Sequence, residues 1–125
     1  MNLLVKHAVI ADPQSKYNKQ KCDVRIIAGV IESVGDLVAD VNEQVYDAQG
    51  SFLTPGFFDL NCVAGDPGFE TKEDIKTLTE TAKAGGFTGL ALFPQTNPVV
   101  QSKSQVEYII NKAKNNLVNV HPIGA

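Results

Sequence analysis

Apolar and polar residues change their spacing once along the chain, near residue 54, and the change separates two kinds of architecture. Before it, short apolar stretches end at turn residues: "LLVKHAVIA" at Asp12-Pro13, "CDVRIIA" at Gly29, "VIESVG" at Gly35, with "QVYDAQG" leading into "SFLTPG". Val24 and Ile26 alternate with Asp23 and Arg25, the period of a strand with one buried face. No helical period occurs in this part. Several strands at such short spacing predict a small sheet or sandwich over residues 1–53.

From Thr54 the order becomes strand, helix, strand, helix, strand. "GFFDLNCV" is a nearly continuous apolar run, which predicts a strand buried on both faces of a parallel sheet. A helix follows, with Thr71 as cap and Asp74 three residues on, Ile75, Leu78 and Ala82 on one face, and Gly85-Gly86 as the left-handed stop. "FTGLALFP" is a second buried strand. The next helix starts at Ser102 or Ser104, with Gln105 or Glu107 as the reciprocal capping residue and Val106, Ile109, Ile110 and Ala113 as its inner stripe. "LVNVHPIGA" is a third strand. Strand-helix units in this order build a parallel sheet, either doubly wound or closed into a barrel. If both helices cover one face, the other is left bare, and self-association through the exposed sheet is expected.

Composition narrows the classes. The 125 residues are 43% hydrophobic and 20% charged, and no apolar run approaches the roughly 20 residues that span a bilayer. Lys6 and His7 interrupt the opening residues before a signal-peptide core could form, so a cytoplasmic protein with no membrane partner is expected. A net charge of -3 leaves no footprint for nucleic acid. Cys22 and Cys62 stand far apart without zinc spacing, the arrangement of two free thiols.

The run "LTPGFFDLNCVAGDPGFETKEDIKTLTETAKAGGFTGLALFPQTNPV" resembles the beginning of a dihydroorotase, a member of the amidohydrolase superfamily. The matching segments are "PGFFDL", "DPGFE", "KEDI", "AGGFT" and "QTNPV". The resemblance extends over the whole chain. It implies an α/β fold with a small N-terminal β-sandwich portion, residues 1–53, and then the first β-α-β-α-β units of an incomplete TIM-type barrel, residues 54–125.

What the resemblance implies for activity is unusual. After "DL" the family carries a pattern similar to His-x-His-x-Arg, whose two imidazoles project from one side of the first barrel strand to a zinc ion, while the arginine grips the substrate carboxylate. Here those positions are Asn61, Val63 and Gly65. A neutral amide is a poor zinc ligand, an isopropyl group has no lone pair, and a glycine carries no guanidinium. Gln95 stands where the family tends to place a substrate-binding asparagine, and Asn97 follows in the same turn, so both are read as vestigial substrate-binding residues. The other catalytic groups of the family belong after the third strand. His121 matches no ligand position.

Three readings stay open on this basis: a non-catalytic family member of pyrimidine synthesis, of the kind that accompanies aspartate carbamoyltransferase as a structural partner; the front portion of an active cyclic amidohydrolase with a rebuilt site; and a standalone α/β binding module. The first expects no catalytic or metal-binding residue and no cofactor in this chain. Of the remaining polar residues, Cys62 is expected to be a buried structural thiol, Asp59 a hydrogen-bonded carboxylate at the strand end, and Asp66 with Glu70 part of a solvated turn around Pro67-Gly68. His7 is expected at the surface or as a satisfied core residue, "AGGFTG" as a helix stop rather than a phosphate cradle, and the basic "NKAKNN" as a helix C-terminus.

Overall fold

The computed structural model describes residues 2–125. The chain divides into two compact units, Met1–Pro55 and Gly56–Ala125. The first is a single five-stranded sheet built from β1 (Asn2–Ile10), β2 (Lys21–Ile27), β3 (Val30–Gly35), β4 (Gln44–Asp47) and β5 (Phe52–Leu53). Its order is β3-β2-β1-β4, with β5 also pairing with β1 beyond the end of β4. The hairpin strands run antiparallel, whereas β4 and β5 lie parallel to β1. Val5, Ala8, Ile10, Val24 and Ala48 form its core, and Tyr17, Ile26, Val34 and Leu53 pack against them.

The alternation in β2 means something different for its polar members than solvent exposure. Asp23 is 3% exposed and fully satisfied: it accepts from the His7 N–H at 2.8 Å, the Leu37 N–H at 3.1 Å and the Lys6 ammonium at 2.9 Å. A bulge in β1 makes this possible, because it puts His7 in the left-handed region (φ 54°) and turns its N–H toward Asp23. Arg25 likewise clamps the 36–43 loop, donating to both Glu43 carboxylate oxygens and to the Val38 carbonyl. His7 itself is exposed and pairs with Asp47 at 2.9 Å.

The second unit is a three-stranded parallel sheet, β6 (Phe57–Cys62), β7 (Phe87–Leu92) and β8 (Asn119–Pro122), in that spatial order. α1 (Ile75–Ala84) joins β6 to β7, and α2 (Lys103–Ala113) joins β7 to β8. Both helices share one core with the sheet, in which Ile75, Leu78, Ala82 and Ile109 meet Cys62, Leu90, Leu92 and Val118. The two crossovers therefore cover the same face. No described helix is long and apolar enough to cross a membrane.

Three local expectations need correction. The α1 cap is Asp74, not Thr71: its carboxylate accepts from the Thr77 N–H at 2.7 Å, and the Thr77 hydroxyl stands 3.2 Å from the Asp74 N–H. Ile110 lies 48% exposed, outside the α2 stripe, since one helical step beyond Ile109 turns away from the core. β6 is not buried on both faces: among its six residues only Cys62 is buried, while Phe58 and Leu60 are exposed. Within the second unit, three strands and one helical layer leave their side uncovered. Other expectations hold. Ser102 starts α2, its N–H donating to Gln105 Oε1 at 3.0 Å, and Gly86 supplies the left-handed stop after α1 at φ 80°.

The buried Asp23 makes the first unit acid-sensitive. Burial by itself raises its pKa, but the His7 N–H, the Lys6 ammonium and the Leu37 N–H outweigh this and hold it at about 2, below the 3.8 of a free aspartate. A depressed carboxylate stabilises the fold above its unfolded pKa and loses that contribution as pH falls. Titration of the chain by amide NMR is expected to show His7 and Leu37 signals moving between about pH 4 and 2. Asp23→Asn removes that step and lowers the urea midpoint at pH 7.

Candidate functional site

β6 ends in a loop that returns over its own beginning. Asn61 and Val63 are both exposed, while Cys62 between them is buried in the helix-facing core. Burial pushes the Cys62 thiol pKa up, and the charges of Asp59 and Glu73 add to the shift, so it stays a protonated packing residue. Asp59 accepts from the Asn61 N–H at 2.9 Å, closing the irregular last turn of the strand.

Beyond Ala64 the backbone forms a tight ring. The Gly65 N–H donates to the Glu73 carbonyl at 3.1 Å, and the Phe69 N–H donates to the Gly65 carbonyl at 2.5 Å. A Cβ on Gly65 would stand 2.3 Å from the Phe69 carbonyl oxygen and 2.8 Å from that of Glu73. Both obstacles are backbone, so a side chain at 65 needs the loop to move. An open cavity of about 430 Å³ lies alongside, lined by Val63, Gly65, Phe69, Lys72, Glu73 and Gln95, among others. The Lys72 ammonium sits 5.2 Å from the centre of the Phe69 ring.

The loop is fastened to α2 through its own Asp66. This residue is fully buried, which overturns the solvated-turn expectation for its half of the Asp66–Glu70 pair. Its carboxylate accepts from the Tyr108 hydroxyl at 2.8 Å, from the Lys112 ammonium at 2.8 Å and, more weakly, from the Ile75 N–H at 3.4 Å. The hydrogen bond to Asp66, and next that to Tyr108, raise the Lys112 pKa, so the lysine stays charged. Glu70 is exposed, as expected, and caps the turn through the Gly68 N–H at 3.0 Å. A further clamp joins the loop to the turn after β7: the Asn97 N–H donates to the Pro67 carbonyl at 3.0 Å, and Gly68, at φ 102°, leaves a Cβ only 2.2 Å from the Asn97 carbonyl.

The residues singled out from the sequence thus fall into separate places. Gln95 lines the cavity with Gly65 and Val63, whereas Asn97 contributes its backbone to the loop clamp. His121 lies against the Phe58 ring on the bare sheet face, with ring centres 5.5 Å apart. Among the described residues no three His, Cys, Asp or Glu side chains converge as a metal site would require. Sequence reasoning placed Asp66 in a solvated turn and missed Tyr108 and Lys112. The available signal was the four-residue spacing of Tyr108 and Lys112, which puts both on one face of α2.

The fold of the chain is similar to that of several proteins of known structure. L-hydantoinase from Arthrobacter aurescens superposes on 98% of the chain with a TM-score of 0.82 at 20% identity, the chain covering 27% of that protein. A D-hydantoinase gives 0.78 at 25% identity, over 98% of this chain and 26% of its own. The family described as Dihydro-orotase-like matches residues 50–125, more than half of the sequence, and the chain belongs to that family. Curated dihydroorotases from Ruminiclostridium cellulolyticum and Citrifermentans bemidjiense are 41% and 46% identical to it, over 100% and 99% of the chain. The chain spans less than a third of their length, 29% and 30% respectively.

Zinc, which the family resemblance implies, does not fit the donors at hand. Asn61 offers a neutral amide, Val63 nothing, and position 65 no side chain. The Asp66 cluster instead carries structural weight. Lys112→Met is expected to lower unfolding stability by roughly 2 kcal/mol, since Tyr108 and Ile75 still serve the carboxylate and the lysine is partly exposed. Tyr108→Phe is expected to cost about 1 kcal/mol. Urea unfolding of the two variants beside the parent chain measures both.

Proposed function

We propose that this chain is part of a non-catalytic member of the dihydroorotase-like family, a structural component of pyrimidine synthesis in the cytoplasm. The observation that carries the reading is the donor set at the end of β6: an amide, an isopropyl group and a glycine whose Cβ direction is closed by two backbone carbonyls. Hydrolysis of a cyclic amide needs a metal-activated water or an equivalent nucleophile. Neither Asn61 nor Val63 supplies one, and the buried Cys62 thiol faces the helices. Residues 1–53 take the role of the N-terminal β-sandwich portion, and residues 54–125 that of the first strands and helices of a (β/α)8 barrel. Support for this division comes from the fold likeness to L-hydantoinase.

The bare face of the three-stranded sheet, with Phe58 and Leu60 exposed, supports association with further protein, either other copies or more of a barrel. Aspartate carbamoyltransferase is the proposed partner, on the family resemblance. One observation favours the competing reading of an active enzyme with a rebuilt site: identity to proteins named dihydroorotase reaches 46%. Zinc analysis together with dihydroorotate turnover, measured on the full-length protein of which this chain is part, decides between them. The non-catalytic reading expects less than about one-tenth of a zinc per chain and no turnover above buffer. A stoichiometric metal accompanied by hydrolysis would remove it.

A further inference from the structure

The lost arginine position is closed, and the closure is a property of the backbone. Both backbone groups of Gly65 are bonded to the loop that follows, its N–H donating to the Glu73 carbonyl and its carbonyl accepting from the Phe69 N–H, and those same two residues present the carbonyl oxygens nearest to its missing Cβ. Its backbone does not lie in the left-handed region, so the requirement for glycine here comes from space alone. The ring is then fastened at three places: the Asp66 carboxylate to Tyr108 and Lys112, the Pro67 carbonyl to the Asn97 N–H, and Gly68 against the Asn97 carbonyl.

We propose that the 65–73 loop is locked over the position from which an anion-clamping side chain would emerge, with Asp66 as the positioning residue that holds the lock. The inference rests on the non-catalytic reading and deepens it: the adjoining cavity cannot seat an organic carboxylate at this end, and returning three side chains does not restore the site. Chemistry agrees with the geometry. Two backbone carbonyl oxygens at the Gly65 end repel a carboxylate, and the lining residues Lys72 and Glu73 carry opposite charges, with Lys72 stacked toward the Phe69 ring. A neutral ligand, or one that donates hydrogen bonds, is the class this wall accepts.

Hydrogen exchange on the unaltered full chain tests the lock without any variant. The Gly65 and Phe69 amides are expected to exchange at least about tenfold slower than in an unstructured peptide, and Asp66→Asn is expected to speed both. Unprotected Gly65 and Phe69 amides in the parent chain would overturn the proposal. Gly65→Ala supplies the second arm: its melting temperature falls in the parent background and falls less in the Asp66→Asn background, where the loop can yield. Equal losses in both backgrounds, or a Gly65→Arg structure with an ordered guanidinium in the cavity and the loop unmoved, would also overturn it. These results stand apart from the zinc measurement. Metal bound with the amides protected removes the non-catalytic reading and keeps the lock, while a metal-free chain with unprotected amides does the reverse.

Discussion

A carboxylate removed wholly from water has to be met by donors, and in the second unit that requirement organises the functional end. Asp66 draws the Tyr108 hydroxyl and Lys112 ammonium of α2 and the first N–H of α1 to one point. The loop that carries Asp66 therefore cannot move independently of either helix. Removing one partner leaves the buried carboxylate short of a donor, so each donor matters to stability as well as to geometry. The placement of Gly65, Phe69 and the cavity beside them depends on a loop fixed in this way.

Much of the fold was legible because it depends on local rules. The change from alternating strands to strand-helix units near residue 54 reflects periodicity, and the starts and stops of α2 and α1 follow from Ser102 and Gly86. The buried stripe of α1 was readable for the same reason. The cap of α1 was not, because two offset pairs, Thr71 with Asp74 and Asp74 with Thr77, satisfy similar chemistry, and tertiary placement of the loop selected the second. An apolar run says that a strand can be buried, but only the number of layers around it decides whether it is. β6 meets helices on one side alone.

The site was less legible. Substituted residues at 61, 63 and 65 can be read from spacing once the family pattern is in view, and so can their poverty as ligands. The closure over Gly65 cannot, since a glycine records the lack of a side chain without saying whether the space is empty or filled. Asp66 misled in the same way: next to Pro67-Gly68 it resembles an ordinary turn carboxylate, and its partners lie 42 and 46 residues further along. Long-range pairing of this kind leaves almost no local trace.

A site emptied of side chains and a site closed by backbone differ physically. An emptied site keeps a cavity of the old shape, and a side chain restored to it meets solvent. A closed one has exchanged that space for hydrogen bonds within the loop, so the restored side chain must first break the Gly65 pairings with Glu73 and Phe69 and then loosen the Asp66 cluster behind them. The order of events this permits is constrained: a glycine at 65 has to be in place before the loop can settle as it does, since any Cβ there blocks the closed form. The loop's own hydrogen bonds and its fastening to α2 give the end of β6 a fixed surface.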